Sequence, residues 1–187
     1  ALLCGGAAGQ MAASVRRVVQ CRGIGLVLAA TAVRFCAGFG LGLWAAPFFR
    51  AKFPAMQAQF SVINALTIGV GGCASTLAGG ALTERLAVRD KRAVLMVPVA
   101  GCVAAVPAIL LAVGSAGFTA SMAFYVVTFV VAECWIGAVM CVLSQEVPPE
   151  VRGVATSLIS LLTVVGNAAP LAIGAMVRNG VGLQAAL

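Results

Sequence analysis

Five apolar stretches, each 21 to 25 residues long, limit what this chain can fold into. They run over about 24–48, 59–82, 93–113, 119–143 and 153–177. At a rise of about 1.5 Å per residue, each is long enough to cross a hydrocarbon core of about 30 Å as an α-helix. Shorter runs would suit core helices of a water-soluble domain. Transmembrane β-strands would alternate polar and apolar residues over about ten positions. Only 9% of residues are charged and 62% are hydrophobic, against roughly 25% charged in an ordinary soluble domain. A chain of 187 residues has no interior large enough to hide that much apolar surface from water, so lipid is the solvent for most of it. The chain therefore reads as an all-α, multi-pass membrane protein. A cytosolic connector is expected over 1–23, a transmembrane bundle over 24–178 and a tail over 179–187.

The basic residues orient the bundle. Arg16, Arg17 and Arg22 precede span 1, Arg85, Arg89, Lys91 and Arg92 separate spans 2 and 3, and Arg152 separates spans 4 and 5. Those eight face only three on the other side, Arg50, Lys52 and Arg178. The excess puts the N-terminus and the loops 83–92 and 144–152 in the cytosol, and the C-terminus outside. With the basic residues spent on connectors, the net charge of +7 leaves no basic face for nucleic acid. Met11, with Ala12, Ala13, Ser14, Arg16 and Arg17 after it, fits either a targeting segment or a connector. The apolar run that follows is longer than a signal peptide's, which favours the connector. The chain opens at Ala1 and closes at Leu187 among small residues, and is expected to be a piece of a longer protein.

Several chemistries find no residues. Cys36, Cys73, Cys102, Cys134 and Cys141 lie in apolar stretches, where cysteine behaves as a small hydrophobe. No CxxC spacing and no histidine occur, so neither a metal nor another cofactor is expected. Gly69, Gly71 and Ala74 match a dinucleotide fingerprint in spacing but sit inside a span, with no strand before them. Five acidic residues give a triad or carboxylate pair few candidates, so no enzyme is expected. Glu146 and Glu150 flank Pro148 and Pro149, which reads as a helix start.

Small residues recur at helix-packing spacing. Gly72, Thr76 and Gly80 form a ridge in span 2, Gly166, Pro170 and Gly174 line one side of span 5, and Gly38 and Gly42 pair in span 1. Pro98, Pro107 and Pro170 are expected to kink or loosen their helices. Two charges stand inside the spans, Arg34 and Glu133. An ionisable group at a span centre costs roughly 2.5 to 3.5 kcal/mol on insertion scales and marks a functional site by default. Each lies about ten residues from the cytosolic end of its span, roughly 15 Å deep. Their opposite signs make them natural partners.

The loop after span 2 reads Gly79-Gly80-Ala81-Leu82-Thr83-Glu84-Arg85-Leu86-Ala87-Val88-Arg89-Asp90-Lys91-Arg92. It resembles the cytosolic loop motif of the major facilitator superfamily. Gly80, Leu82, Glu84 and Arg85 fall on motif positions, with Glu84 in place of the usual aspartate, and Arg89 and Arg92 fall in the basic cluster. The stretch Val147-Pro148-Pro149-Glu150-Val151-Arg152-Gly153, with Gly166, Pro170 and Gly174 after it, is similar to the loop and eleventh helix of the same superfamily. The Arg89-Asp90-Lys91-Arg92 ending before a span with Pro107 is most similar to the spinster-like branch. The resemblance covers roughly residues 20–178 and implies helices seven to eleven of a transporter whose N-terminal half is missing.

In that superfamily the first and fourth helices of each half line the cavity. Here these are spans 1 and 4, which carry Arg34 and Glu133. The resemblance implies secondary active transport by alternating access of a small molecule, a lipid-like or organic anion. Arg34 would attract the anion or hold Glu133. Glu133 would couple protons or serve as Arg34's counter-ion. Asn64, Tyr125, Thr128, Trp135 and Asn167 would line the cavity, and Arg152 would reach Glu84 as a loop partner. The alternative class is a non-transporting scaffold or assembly subunit, or an inactive truncated product.

Overall fold

A computed structural model describes the backbone of residues 2–21, 23–88 and 93–179, and the side chains of 9–21, 23–88 and 94–179. Arg22, Arg89, Asp90, Lys91, Arg92 and the tail beyond Asn179 lie outside the described residues. Among the described residues there is no strand. The chain is an all-α protein with five helical segments long and apolar enough to cross a membrane. These are Ile24–Lys52, Pro54–Ala87, Val94–Gly114, Phe118–Glu146 and Pro149–Arg178. Each includes the apolar stretch or nearly all of it, and most run a few residues past its ends. A helix need not stop where hydrocarbon does, because long charged side chains such as Arg50 and Lys52 reach the interface from its last turn. Exposed Leu26, Val70, Leu77, Val103, Leu110 and Leu171 give the spans an outer surface compatible with lipid.

The segment expected as a connector differs. Residues Leu2–Gln20 form a helix, α1. Alanine is frequent there and favours helix, and apolar contact secures the end, where Val18 is fully buried. The chain then turns at Gly23, whose φ of +80° suits a residue without a side chain.

The helices fall into two compact units. Unit 1 holds Ala1–Trp44 and Val142–Leu187, and unit 2 holds Ala45–Cys141. Unit 1 comprises α1, the first part of α2 (Ile24–Lys52), α8 (Arg152–Gly166) and α9 (Ala168–Arg178). The residues named for packing in span 5 meet span 1. A β-carbon on Gly166 would lie 2.6 Å from the Phe39 ring and 2.7 Å from the Phe35 Cβ, and one on Gly174 would lie 3.2 Å from the Trp44 ring. The Trp44 Nε1–H donates to the Pro170 carbonyl at 3.1 Å. Span 5 is interrupted at Asn167. Pro170 has no N–H for the Gly166 carbonyl, so the sequence carries the cause of the break.

Unit 2 comprises the end of α2, α3 (Gln57–Leu66), α4 (Gly72–Ala87), α5 (Met96–Gly114), α6 (Phe118–Ala132) and the start of α7 (Trp135–Glu146). A π-helical turn at Thr67–Gly71 joins α3 to α4 within span 2. Pro98 does not kink span 3. It falls in the first turn of α5, where its missing N–H is no loss. Pro107 lies inside α5, which is continuous to Gly114. At one end of the unit, Phe49 stacks on Phe60 at 4.8 Å and meets Tyr125 edge-on at 5.6 Å. The Lys52 ammonium lies 5.3 Å from the Phe48 ring and 5.5 Å from the Phe53 ring, and donates to the Val113 carbonyl at the end of α5.

Candidate functional site

Arg34 is half-buried on α2, in unit 1. One turn later Gly38 has no side chain, and a β-carbon there would lie 3.1 Å from the Arg34 Nη1. Gly38 therefore gives room along its own helix to the guanidinium. Gly42 has no such neighbour within 4 Å. The Gly38–Gly42 pair is thus not a close-packing ridge here, and span 1 uses Gly40 instead, 3.1 Å from the Ile173 Cδ1. One turn before Arg34, Thr31 is 2% exposed and its hydroxyl has no hydrogen-bond partner among the described residues.

Glu133 is half-buried in unit 2, where span 4 leaves the α-helix. Its backbone has φ −81° and ψ −5°, and its N–H donates to the Phe129 carbonyl at 3.0 Å. Helix α6 ends one residue before it and α7 begins two residues after. Three spans meet at this break. From span 2, a β-carbon on Gly79 would press on the Cys134 carbonyl and lie 2.8 Å from its Cα. From span 3, one on Gly101 would lie 2.6 Å from the Cys134 Sγ and 2.7 Å from the Val131 carbonyl. On span 4 itself, one on Gly137 would lie 2.6 Å from the Gly80 nitrogen and 2.7 Å from the Thr76 carbonyl. The ridge of Gly72, Thr76 and Gly80 thus faces span 4, with Gly72 opposite Phe129 at 3.5 Å. Only glycine allows backbones this close.

Two carbonyls at the break accept side-chain donors. The Ser75 hydroxyl donates to the Val130 carbonyl. The Cys134 thiol donates to the Val131 carbonyl at 3.1 Å. In a membrane interior an unsatisfied carbonyl costs several kcal/mol, on the order of the cost of burying any unpaired polar group.

Of the other residues named from sequence, Asn64 and Tyr125 come together, with the Tyr125 hydroxyl donating to the Asn64 Oδ1 at 2.9 Å. Thr128 and Asn167 spend their polar groups on their own helices, donating to the Phe124 carbonyl at 2.8 Å and the Thr163 carbonyl at 2.9 Å. Trp135 is buried at the start of α7. Leu82, Glu84 and Arg85 are exposed on the last turns of α4. Arg152, the expected loop partner of Glu84, donates from Nε to the Val147 carbonyl at 3.0 Å and from Nη2 to the Ser144 carbonyl at 2.5 Å. Ser144 lies in the last turn of α7 and Val147 just past its end, where a cation is favoured.

Sequence reasoning missed Ser75, Gly79, Gly101, Gly137 and Lys52. The Gly79-Gly80 doublet was the available signal for Gly79. For the others the sequence offers residue type but not the facing helix.

No family model, curated protein or solved structure matches the chain.

Proposed function

We propose that this chain belongs to a secondary active transporter working by alternating access, with Arg34 attracting an anionic substrate and Glu133 as the coupling carboxylate. The observation that carries the reading is the place of Glu133: a half-buried acid at an interruption of a membrane-spanning helix that contains no proline nearby. Irregular backbone at membrane depth is tolerated where protein buries it or a watery cavity meets it. Discontinuous helices near the midplane are where transporters hold substrates and coupling ions. The glycine-rich loop with Glu84 and Arg85 supports the same reading by its resemblance to the major facilitator superfamily. On that resemblance a second bundle, the N-terminal half, completes the cavity, and an amphiphilic anion such as a lysolipid or sphingoid phosphate is the substrate class. Uptake of such a lipid into proteoliposomes holding the complete transporter tests it. Arg34→Ala abolishes uptake, and Glu133→Gln removes its dependence on a proton gradient. Uptake indifferent to both substitutions overturns the assignment.

A further inference from the structure

Span 2 carries a polar stripe that the helices of unit 2 only partly cover. Gln57, Ser61 and Asn64 stand at i, i+4 and i+7 of α3, on one face of the helix. Gln57 and Asn64 are half-buried and Ser61 is exposed. To one side of the stripe lie Phe60 and Thr67, both buried. On the far side lie Val62 and Leu66, both exposed, as a lipid-facing surface would be. The stripe thus follows the edge of the packed face. It begins at the end of span 2 away from Arg85, the outer end by the charge bias of the connectors. The next position on the same face, Ile68, is apolar. The stripe therefore ends at Asn64, about 10 Å along the helix from Gln57.

Its side chains place their polar groups differently. The Ser61 hydroxyl donates to the Gln57 carbonyl at 3.0 Å, and the Gln57 Nε2 donates to the Phe53 carbonyl at 3.2 Å. Both are answered by the chain one turn earlier. Asn64 turns to another span instead, and its Oδ1 accepts the Tyr125 hydroxyl at 2.9 Å. Tyr125 is buried, with the Phe49 ring edge-on to it at 5.6 Å, so its hydroxyl holds the carboxamide in one orientation. The Nδ2 branch then turns away from Tyr125 with two N–H donors. It meets no acceptor among the described residues and is not sealed from the surface. Asn64 lies about five residues inside the apolar stretch, where an unmet donor is costly against hydrocarbon. Water or a ligand's oxygen can meet it, and a lipid tail cannot.

We infer that this stripe is a wetted entry on the outer side of unit 2, and that Asn64 at its end donates to an uncharged oxygen of the transported molecule, a hydroxyl or an ester carbonyl. Tyr125 is the positioning residue for that amide. None of the three stripe residues is charged, which suits a neutral oxygen rather than an anionic group. The ligand rests on the transporter reading, whereas the wetting does not.

The wetting is tested by single cysteines at 61, 62, 64 and 66 in the complete transporter. A membrane-impermeant methanethiosulfonate is added from outside, and mass spectrometry reads the peptide carrying each new cysteine. The reagent needs a thiolate, which forms in water and not in hydrocarbon. Ser61→Cys and Asn64→Cys are expected to react at least about tenfold faster than Val62→Cys and Leu66→Cys. The donor is tested by binding of two probes in detergent, oleoyl lysophosphatidate and dodecyl phosphate. The second has neither a hydroxyl nor an ester carbonyl. Asn64→Leu, close in volume, should weaken lysophosphatidate binding by about tenfold and leave dodecyl phosphate within about twofold. Tyr125→Phe, which frees the carboxamide to turn, should weaken lysophosphatidate binding by about threefold. Equal labelling at Asn64 and Leu66 overturns the inference alone. Equal weakening of both probes by Asn64→Leu overturns the donor role, since the amide would then serve only the fold. Failure of either probe to bind the unsubstituted protein overturns the ligand assigned to Asn64 together with the transporter reading.

Discussion

Two of the five spans are interrupted, for different reasons. Span 5, in unit 1, breaks at Asn167 because Pro170 has no N–H to donate. Span 4, in unit 2, breaks at Glu133, a stretch without proline, where Ser75, Gly79 and Gly101 from two other spans meet its backbone. The first interruption is local and is written in the sequence of the helix that bears it. The second lies where three helices pack together. A locally caused break persists when neighbours move. A tertiary one can open or close with them.

The largest expected effect tests how rigid the tertiary break is. A methyl at Gly79 meets backbone atoms of Cys134 that cannot swing aside. Gly79→Ala is therefore expected to cost upwards of about 3 kcal/mol, seen as a sharply lowered melting temperature in detergent or as lost expression. Near wild-type stability would mean that spans 2 and 4 do not approach as closely as described.

The corresponding glycine of the other unit should be more forgiving. Gly166→Ala meets the Phe39 ring and the Phe35 side chain rather than backbone. Rotation of the Phe39 ring relieves part of the clash, while the Phe35 Cβ moves only with its backbone, so a cost of about 2 to 3 kcal/mol is expected by the same melting measurement. A cost equal to that of Gly79→Ala would erase the contrast between side-chain and backbone contact.

Removing the local cause should mend the local break. Pro170→Ala restores an N–H to the Gly166 carbonyl and should slow amide exchange around residues 168–171 by about tenfold. It should leave exchange at Cys134 unchanged. A coupled change at Cys134 would show that the two interruptions are not independent.

Smaller effects bound the comparison. Tyr125→Phe deletes the hydroxyl that reaches Asn64 and should cost about 1 kcal/mol in unit 2. Gly42→Ala meets open space and should change stability by less than about 0.5 kcal/mol. A large loss at Gly42 would restore span 1's glycine pair as a packing surface.

What could be read from sequence follows the same division. Segment length and apolar content gave the all-α membrane class, because crossing hydrocarbon imposes both on each helix separately. The break at Pro170 was also readable, since proline acts on its own helix. The helical state of Leu2–Gln20 was not, because its buried Val18 depends on contact with residues far along the chain. Pro98 misled because its effect depends on where α5 begins. Glu133 stood out as a charge in an apolar run, but the interruption around it did not. The residues that meet its backbone there, Ser75 and Gly79 of span 2 and Gly101 of span 3, lie far away in sequence, and no periodicity within span 4 refers to them.

The Lys52 ammonium sits against the Val113 carbonyl in the last turn of α5 and the faces of Phe48 and Phe53. It thereby pins the end of α2 and the end of α5 to one level. Sliding of the two helices past each other along their axes would break this contact. Mismatch with a bilayer of another thickness is then met at lower cost by tilting the two helix ends together. A single lysine thus ties the level of one helix end to that of another.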